Sequence, residues 1–185
     1  MVNLFVANTD NAWFDFLSAE PAVPEVNFWW PGEMAFRALQ TGELLVFRLK
    51  SPRNKIGGFG VFSSHSPLPM QLAWDTFGRT NGVLSCEDLR SAIAQYRFGS
   101  PDGPMTNIGC TILTDPVFLP PELWFDVPSS WSSSIQRGKV YSTDNGEGVM
   151  LWNQLLDAAQ MSAMVVSSEM AEVQARYGAP ALITP

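Results

Sequence analysis

Short apolar runs separated by turn residues organise this chain. Asn3 to Ala7 is apolar and brief, which predicts a buried strand. Asn8 or Asp10 then caps a short helix from Ala12 to Leu17, stopped by Glu20-Pro-Ala-Val-Pro24. Val26 to Trp30 predicts an aromatic strand ended by the Pro31-Gly32 turn. Leu44 to Lys50 passes from an apolar run to alternation, the pattern of a strand leaving the core, and Ser51-Pro-Arg-Asn54 turns the chain. Ile56 to His65 is the next strand. Its glycines Gly57, Gly58 and Gly60 imply a bulge or a close backbone approach, because glycine otherwise weakens a strand.

Pro69 to Phe77 predicts a short amphipathic helix ending at Gly78. Ser85 with Asp88 forms a capping box for a helix that carries Leu89, Ile93 and Tyr96 to about Phe98. After a surface loop, Ser100 to Pro104, Ile108 to Leu113 is another buried strand. Pro116, Pro120 and Pro121 are then expected to bar regular structure except at helix starts. Leu119 to Pro128 and Trp131 to Tyr141 read as irregular, with Ser129 to Ser134 the most polar patch. Glu147 to Met164 regains helical spacing, Val165 to Tyr177 either extends or follows that helix, and Gly178-Ala-Pro180 ends it. No internal repeat occurs. Strands interrupted by short helices give an α+β plan around a curved or closed sheet.

Composition narrows the class. A chain of 185 residues that is 46% hydrophobic and 16% charged is one globular domain with room for a core; it is not expected to be collagen-like, disordered or a coiled coil, because its hydrophobic content is ample and no heptad persists. Cys86 and Cys110 have no CxxC spacing and no nearby histidine, which excludes a disulfide framework or zinc knuckle. The first residues lack a basic signal-peptide region and no apolar run reaches a membrane span, so the expected location is cytoplasmic. The net charge of −7 divides unevenly: residues 37–97 carry eight basic and four acidic side chains, leaving −11 elsewhere. One face is therefore expected to attract an anion, although charges that merely decorate helix and strand exteriors would count the same way.

Several stretches together resemble a known family. They are Val26-Asn-Phe-Trp-Trp-Pro-Gly32, Phe36-Arg-Ala-Leu39, Gly42-Glu-Leu-Leu-Val-Phe-Arg-Leu49, Gly57-Gly-Phe-Gly60 and Ala73-Trp-Asp-Thr-Phe-Gly78, extended by Ile108-Gly-Cys110, Val127-Pro-Ser-Ser-Trp131 and Gly138-Lys-Val-Tyr141. The set resembles the N-terminal specificity region of HNH-type, modification-dependent restriction endonucleases, and in arrangement is similar to the PUA-like superfamily of EVE, YTH, SRA and ASCH domains. The resemblance implies a PUA-like curved sheet or pseudo-barrel flanked by short helices over residues 1–165. Residues 166–185 would be a C-terminal helix and linker, in which Arg176-Tyr-Gly-Ala-Pro180 leads toward a nuclease domain. It also implies a DNA-binding module for defence against phage. Such a module reads a modified base such as 5-methylcytosine in double-stranded DNA, by flipping it into an aromatic pocket, for an HNH nuclease in the full-length parent, which is compatible with a homodimer. With one histidine in all, the chain itself is expected to be no enzyme and to hold no catalytic residue, metal or cofactor.

A flipped base needs aromatic walls and a few polar groups at its edge. Trp29 and Trp30 are adjacent, so a strand aims them at opposite faces; Trp30, next to the turn, is the favoured wall. Phe59 and Phe62 on the glycine-rich strand, Ser64, His65, Trp74 and Trp131 complete the candidate pocket; the other aromatics serve a core at least as readily, whereas Trp131, among serines, has little core to join. A Ser/His catalytic reading of Ser64 and His65 fails, since neighbours on a strand point apart and no nucleophile elbow is present. Arg48 and Lys50 share a strand face at phosphate-tracking spacing, and Arg37, Arg53, Lys55 and Arg79 join them as backbone contacts. Two other classes fit the same residues: a barrel holding a small molecule or nucleotide, and a protein-interaction domain whose aromatics fill a core or interface.

Overall fold

The computed structural model describes residues 1–96 and 107–177, with side chains to residue 172. The end of the expected helix at Phe98, the loop from Ser100 to Pro104, Arg97 and the stretch 178–185 lie outside them. Seven strands, β1 (Asn3–Thr9), β2 (Glu25–Trp30), β3 (Leu44–Leu49), β4 (Lys55–Pro69), β5 (Asn107–Phe118), β6 (Phe125–Asp126) and β7 (Gly138–Ser142), form one mixed sheet. Its order is β2-β5-β4-β3-β1-β7, with β6 paired to β4. Among the described residues four α-helices accompany it: α1 (Asn11–Ala19), α2 (Met70–Phe77), α3 (Cys86–Gln95) and α4 (Gly146–Tyr177). The α+β plan with a curved sheet is the one expected.

The central runs of β1, Leu4 to Ala7, and of β3, Leu44 to Phe47, are apolar at every position because both faces of the sheet are covered there. Phe5 and Ala7 of β1, with Leu45, Phe47 and Leu49 of β3, meet α1 through Trp13, Phe14 and Leu17. The alternate residues Leu4, Val6, Leu44 and Val46 face Leu151 and Leu155 of α4 on the other side. β1 and β3 pair in parallel, which requires a connection long enough to return the chain; α1 and β2 supply it. Asp10, rather than Asn8, caps α1, accepting a hydrogen bond from the Ala12 amide at 2.9 Å. Ser85 caps α3 through the Asp88 amide at 3.1 Å, as its capping box predicts.

The glycine-rich strand is bulged. The β3–β4 register shifts between Phe47 and Arg48, and the β4–β5 register shifts beside Gly60. Gly58 has φ +158°, and a Cβ there would lie 2.0 Å from the Val117 carbonyl oxygen, so the two backbones approach too closely for any side chain.

Two expectations are corrected. Pro116 does not end regular structure: β5 runs through it to Phe118, because it sits in the bulge opposite Gly60, where its missing N–H costs no ladder bond. Residues 138–142, read as irregular, form β7, an antiparallel partner of β1 in which Gly138 lets the chain pass close to Phe5 and the Val6 carbonyl. Val165 to Tyr177 extends α4 without a break. Among the described residues no helix is long and apolar enough to cross a membrane, and no three His, Cys, Asp or Glu side chains gather as metal ligands.

Candidate functional site

A cleft of about 760 Å³ opens where the C-terminal ends of β1, β2 and β3 meet the segment that enters β7. The sheet register builds it. Asn8 pairs with Arg48 across the parallel β1–β3 ladder, and the Asn8 amide donates to the Arg137 carbonyl at 2.8 Å. The Asn8 side chain completes the join: its Nδ2 donates to the Ile135 and Gln136 carbonyls at 2.8 and 3.1 Å, and its Oδ1 accepts from Arg48 Nη1 at 3.0 Å.

Arg48 is the distinctive charge of the cleft. Its Nη2 donates to Asn54 Oδ1 at 2.7 Å, its guanidinium lies 5.4 Å from the Trp131 ring centre, and its Nε is buried with no hydrogen-bond partner. Both of its hydrogen-bonded partners are neutral amides, and among the described residues no carboxylate makes an ion pair with it. Burial lowers its pKa from the ordinary arginine value but leaves it cationic. A partly desolvated cation without a counter-ion is a seat for an anion.

Lys50 is differently placed. It donates to the Tyr96 hydroxyl at 2.8 Å, lies 4.4 Å from that ring's centre, and stands 3.7 Å from Asp10. Tyr96 in turn donates to Asp10. Burial first, and the adjacent Asp10 carboxylate second, push the Tyr96 phenol well above its usual range, so it remains a donor at all working pH. For Asp10, burial opposes ionisation, but the hydrogen bonds from Tyr96 and Ala12 and the charge of Lys50 outweigh it and hold the carboxyl below its ordinary value.

Asp10 therefore stabilises the fold at neutral pH, and that contribution is lost as pH falls through its depressed pKa. In urea titrations, the gap in stability between wild type and Asp10→Asn should be full above about pH 5 and should close toward pH 2. A gap independent of pH would show that the carboxylate's charge contributes nothing.

The aromatic walls come from three places. Trp29, half-buried, donates its indole N–H to the Asn81 carbonyl at 3.0 Å and meets Tyr96 edge-on at 6.4 Å. Trp131 belongs to a serine-rich strap tied down by the first turn of α4. Glu147 accepts from the Ser129 hydroxyl at 2.8 Å, from the Ser130 amide at 2.9 Å and from the Ser130 hydroxyl, and Lys139 binds the Ser130 carbonyl at 3.0 Å. These serine hydrogen bonds hold the Glu147 carboxyl below its ordinary value. Trp30 also borders the cleft but is only 7% exposed, in the core with Phe5, Phe28 and Phe36.

The remaining candidates lie elsewhere. Phe62 is buried in the core, and Phe59 packs on the opposite face against α4's cluster. Trp74 packs beside α3, and Ser64 is an exposed residue of β4. His65 has both ring nitrogens engaged: Nε2 lies 2.6 Å from the Met34 carbonyl and Nδ1 2.8 Å from Thr111 Oγ1, which also accepts the Trp30 indole N–H at 3.0 Å. A carbonyl can only accept, which assigns the ring proton to Nε2. The histidine thus fixes the floor beneath Trp30 from behind.

Of the basic candidates, Arg48 and Lys50 line the cleft. Arg53 forks onto Asp15 at 2.7 and 2.8 Å, Lys55 pairs with Asp126 at 2.7 Å, and Arg79 pairs with Glu20, so all three are neutralised locally. Arg37 is exposed and outside the cleft. Sequence reasoning missed Asn8, Asp10, Tyr96 and Arg137. Tyr96 read as a residue of a helix face, and Arg137 lay in the acidic part of the chain, so neither carried a local signal.

No family model matches the sequence, and no curated protein matches it. Among solved structures, ASCH from Zymomonas mobilis is similar in fold, with a TM-score of 0.53 at 11% identity over 81% of this chain and 94% of that one. Two point-substituted forms of the same protein give TM-scores of 0.52 and 0.51 at 12% identity, each over 82% of this chain and over 95% and 97% of theirs. The chain thus has an ASCH-like fold, within the PUA-like architecture that its sequence resemblance implied.

Proposed function

We propose that this domain binds nucleic acid by admitting a single base to the cleft beside β1, β2 and β3. The base we favour is a modified cytosine flipped from double-stranded DNA. Trp29 and Trp131 stack on it, and a flanking phosphate rests on Arg48. In this reading the chain recognises and does not cut, and an HNH nuclease in the full-length parent performs the cleavage. The observation that carries the proposal is the uncompensated guanidinium of Arg48 set against the Trp131 ring. A nucleotide joins a π face to an anion and satisfies both groups at once. The ASCH-like fold is compatible with nucleic-acid binding.

A second reading is favoured by the size of the cleft, since 760 Å³ falls within the range of small-ligand sites. It is a pocket for a free nucleotide. Fluorescence polarisation at low salt, over unmodified, methylated, hydroxymethylated and glucosylated duplexes with free nucleotides as competitors, separates the two. One modified duplex should bind about tenfold or more above the unmodified one. With Arg48, Lys50 and Arg137 the cleft's only cations among the described residues, the salt dependence should be shallow, a slope of about −2 to −3. Nucleotide binding without any duplex binding would replace the first reading by the second.

A further inference from the structure

Helix α4 is far longer than the domain needs. Its Gly148, Leu151, Leu155 and Ala158 are buried against the rest of the molecule, but no side chain from Ala159 to Glu172 is buried. That outer half is rich in Ala, Met, Gln and Glu, good helix formers interrupted by Val165-Val-Ser-Ser168, so propensity supports the helix while packing within the chain leaves its apolar residues uncovered. Val166 and Met170 are 52% and 68% exposed.

Within α4 an apolar spacing of three and four residues does persist, which corrects the expectation from the sequence that no heptad does. It runs from Val149 through Trp152, Leu156, Ala159, Ala163 and Val166 to Met170, one residue round from the buried seam. Such a repeat keeps one stripe facing a second helix along its length, which a flat or irregular partner does not require. The other faces are interrupted by polar residues. Met161 and Met164 are bounded on their own stripe by Asp157 and Ser168, and the buried seam continues as Ser162, Val165 and Glu169, with one apolar residue of the three.

We infer that α4 pairs with α4 of a second copy of this chain, as an antiparallel coiled coil centred near Met161. The stripe is self-complementary about that point: Ala159 faces Ala163, Leu156 faces Val166, and Trp152 faces Met170 of the other copy. Two alanines at the crossing let the helices approach closely. The residues flanking the stripe, Asn153, Gln160 and Ser167 on one side and Ser162 and Glu169 on the other, bring no like charges together. The antiparallel sense also sends the two globular domains to opposite ends of the helix pair and covers each outer half with the anchored half of its partner, where Trp152 packs against the domain's own core.

Sedimentation equilibrium of the 185-residue chain should show a dimer at about 10–100 µM. Val166→Glu, on the stripe, should weaken dimerisation by about 100-fold or more, because it would bury an unpaired charge. Met164→Glu, off the stripe, should leave it intact. Since both positions lie outside the domain's core, near-ultraviolet circular dichroism should be native in each. When Leu156→Cys chains are mixed with Val166→Cys chains and oxidised, they should cross-link to one another. A monomer at every concentration, equal disruption by both glutamates, or self-linking of Val166→Cys chains in place of the mixed product would overturn the inference.

Discussion

Replacing Trp131 by alanine is expected to weaken binding of the favoured duplex by about 5- to 150-fold while keeping the chain folded, with some loss of stability because the half-buried ring also packs against the core on the α4 side. The range corresponds to ~1–3 kcal/mol per stacked base. Trp131 sits on a strap held by Glu147 and Lys139, and those backbone and serine contacts do not involve the indole. Its loss also removes the ring beside Arg48, so the guanidinium gains freedom just where a phosphate must be met. The check is a pair of measurements: polarisation titrations against modified and unmodified duplex, and a urea midpoint. Retained affinity and retained discrimination would remove Trp131, and with it the strap, from the binding surface.

Trp30→Ala should instead act on stability, lowering it by about 3–5 kcal/mol. The sequence makes Trp30 the favoured pocket wall, but only 7% of it is exposed, its ring touches Phe5, Phe28 and Phe36, and its indole N–H is spent on Thr111. Removing it leaves a cavity among aromatics and frees the hydroxyl of Thr111, itself fully buried and linked to His65. Urea unfolding measures the loss directly. Binding by this variant should fall for every duplex alike, in step with the folded fraction. An unchanged urea midpoint together with lost discrimination would restore Trp30 to the role of a wall. The same assay on Thr111→Val, which deletes the hydroxyl and keeps the volume, should show a smaller loss of about 1–3 kcal/mol from the unpaired indole and imidazole.

Much of the fold was legible because its signals are local. The cap and stop of α1, the capping box of α3 and the apolar runs of β1 and β3 each depend on neighbours within a few residues. Even the bulge in β4 could be read from its glycines. Pro116 and β7 were misread for one reason: a proline inside a bulge and a short polar edge strand are decided by what pairs with them, and that partner is distant in the chain. The same holds for the basic residues between 37 and 97. Their shared sign suggested one face, yet Arg53, Lys55 and Arg79 are matched by Asp15, Asp126 and Glu20 from outside that segment.

By itself, the sequence determined the α+β plan, the two-sided burial of its central strands and a surplus of aromatics close to basic residues. Period, turn chemistry and composition act over short stretches and survive without knowledge of partners. Only the tertiary structure decided which aromatics are walls and which are core, and which cations remain uncompensated. Those properties belong to side chains that meet across the β1–β3 and β1–β7 ladders, where Asn8, Arg48 and Arg137 come together from three separate parts of the chain. Burial and charge compensation are sums over spatial neighbours, and a linear pattern does not contain them.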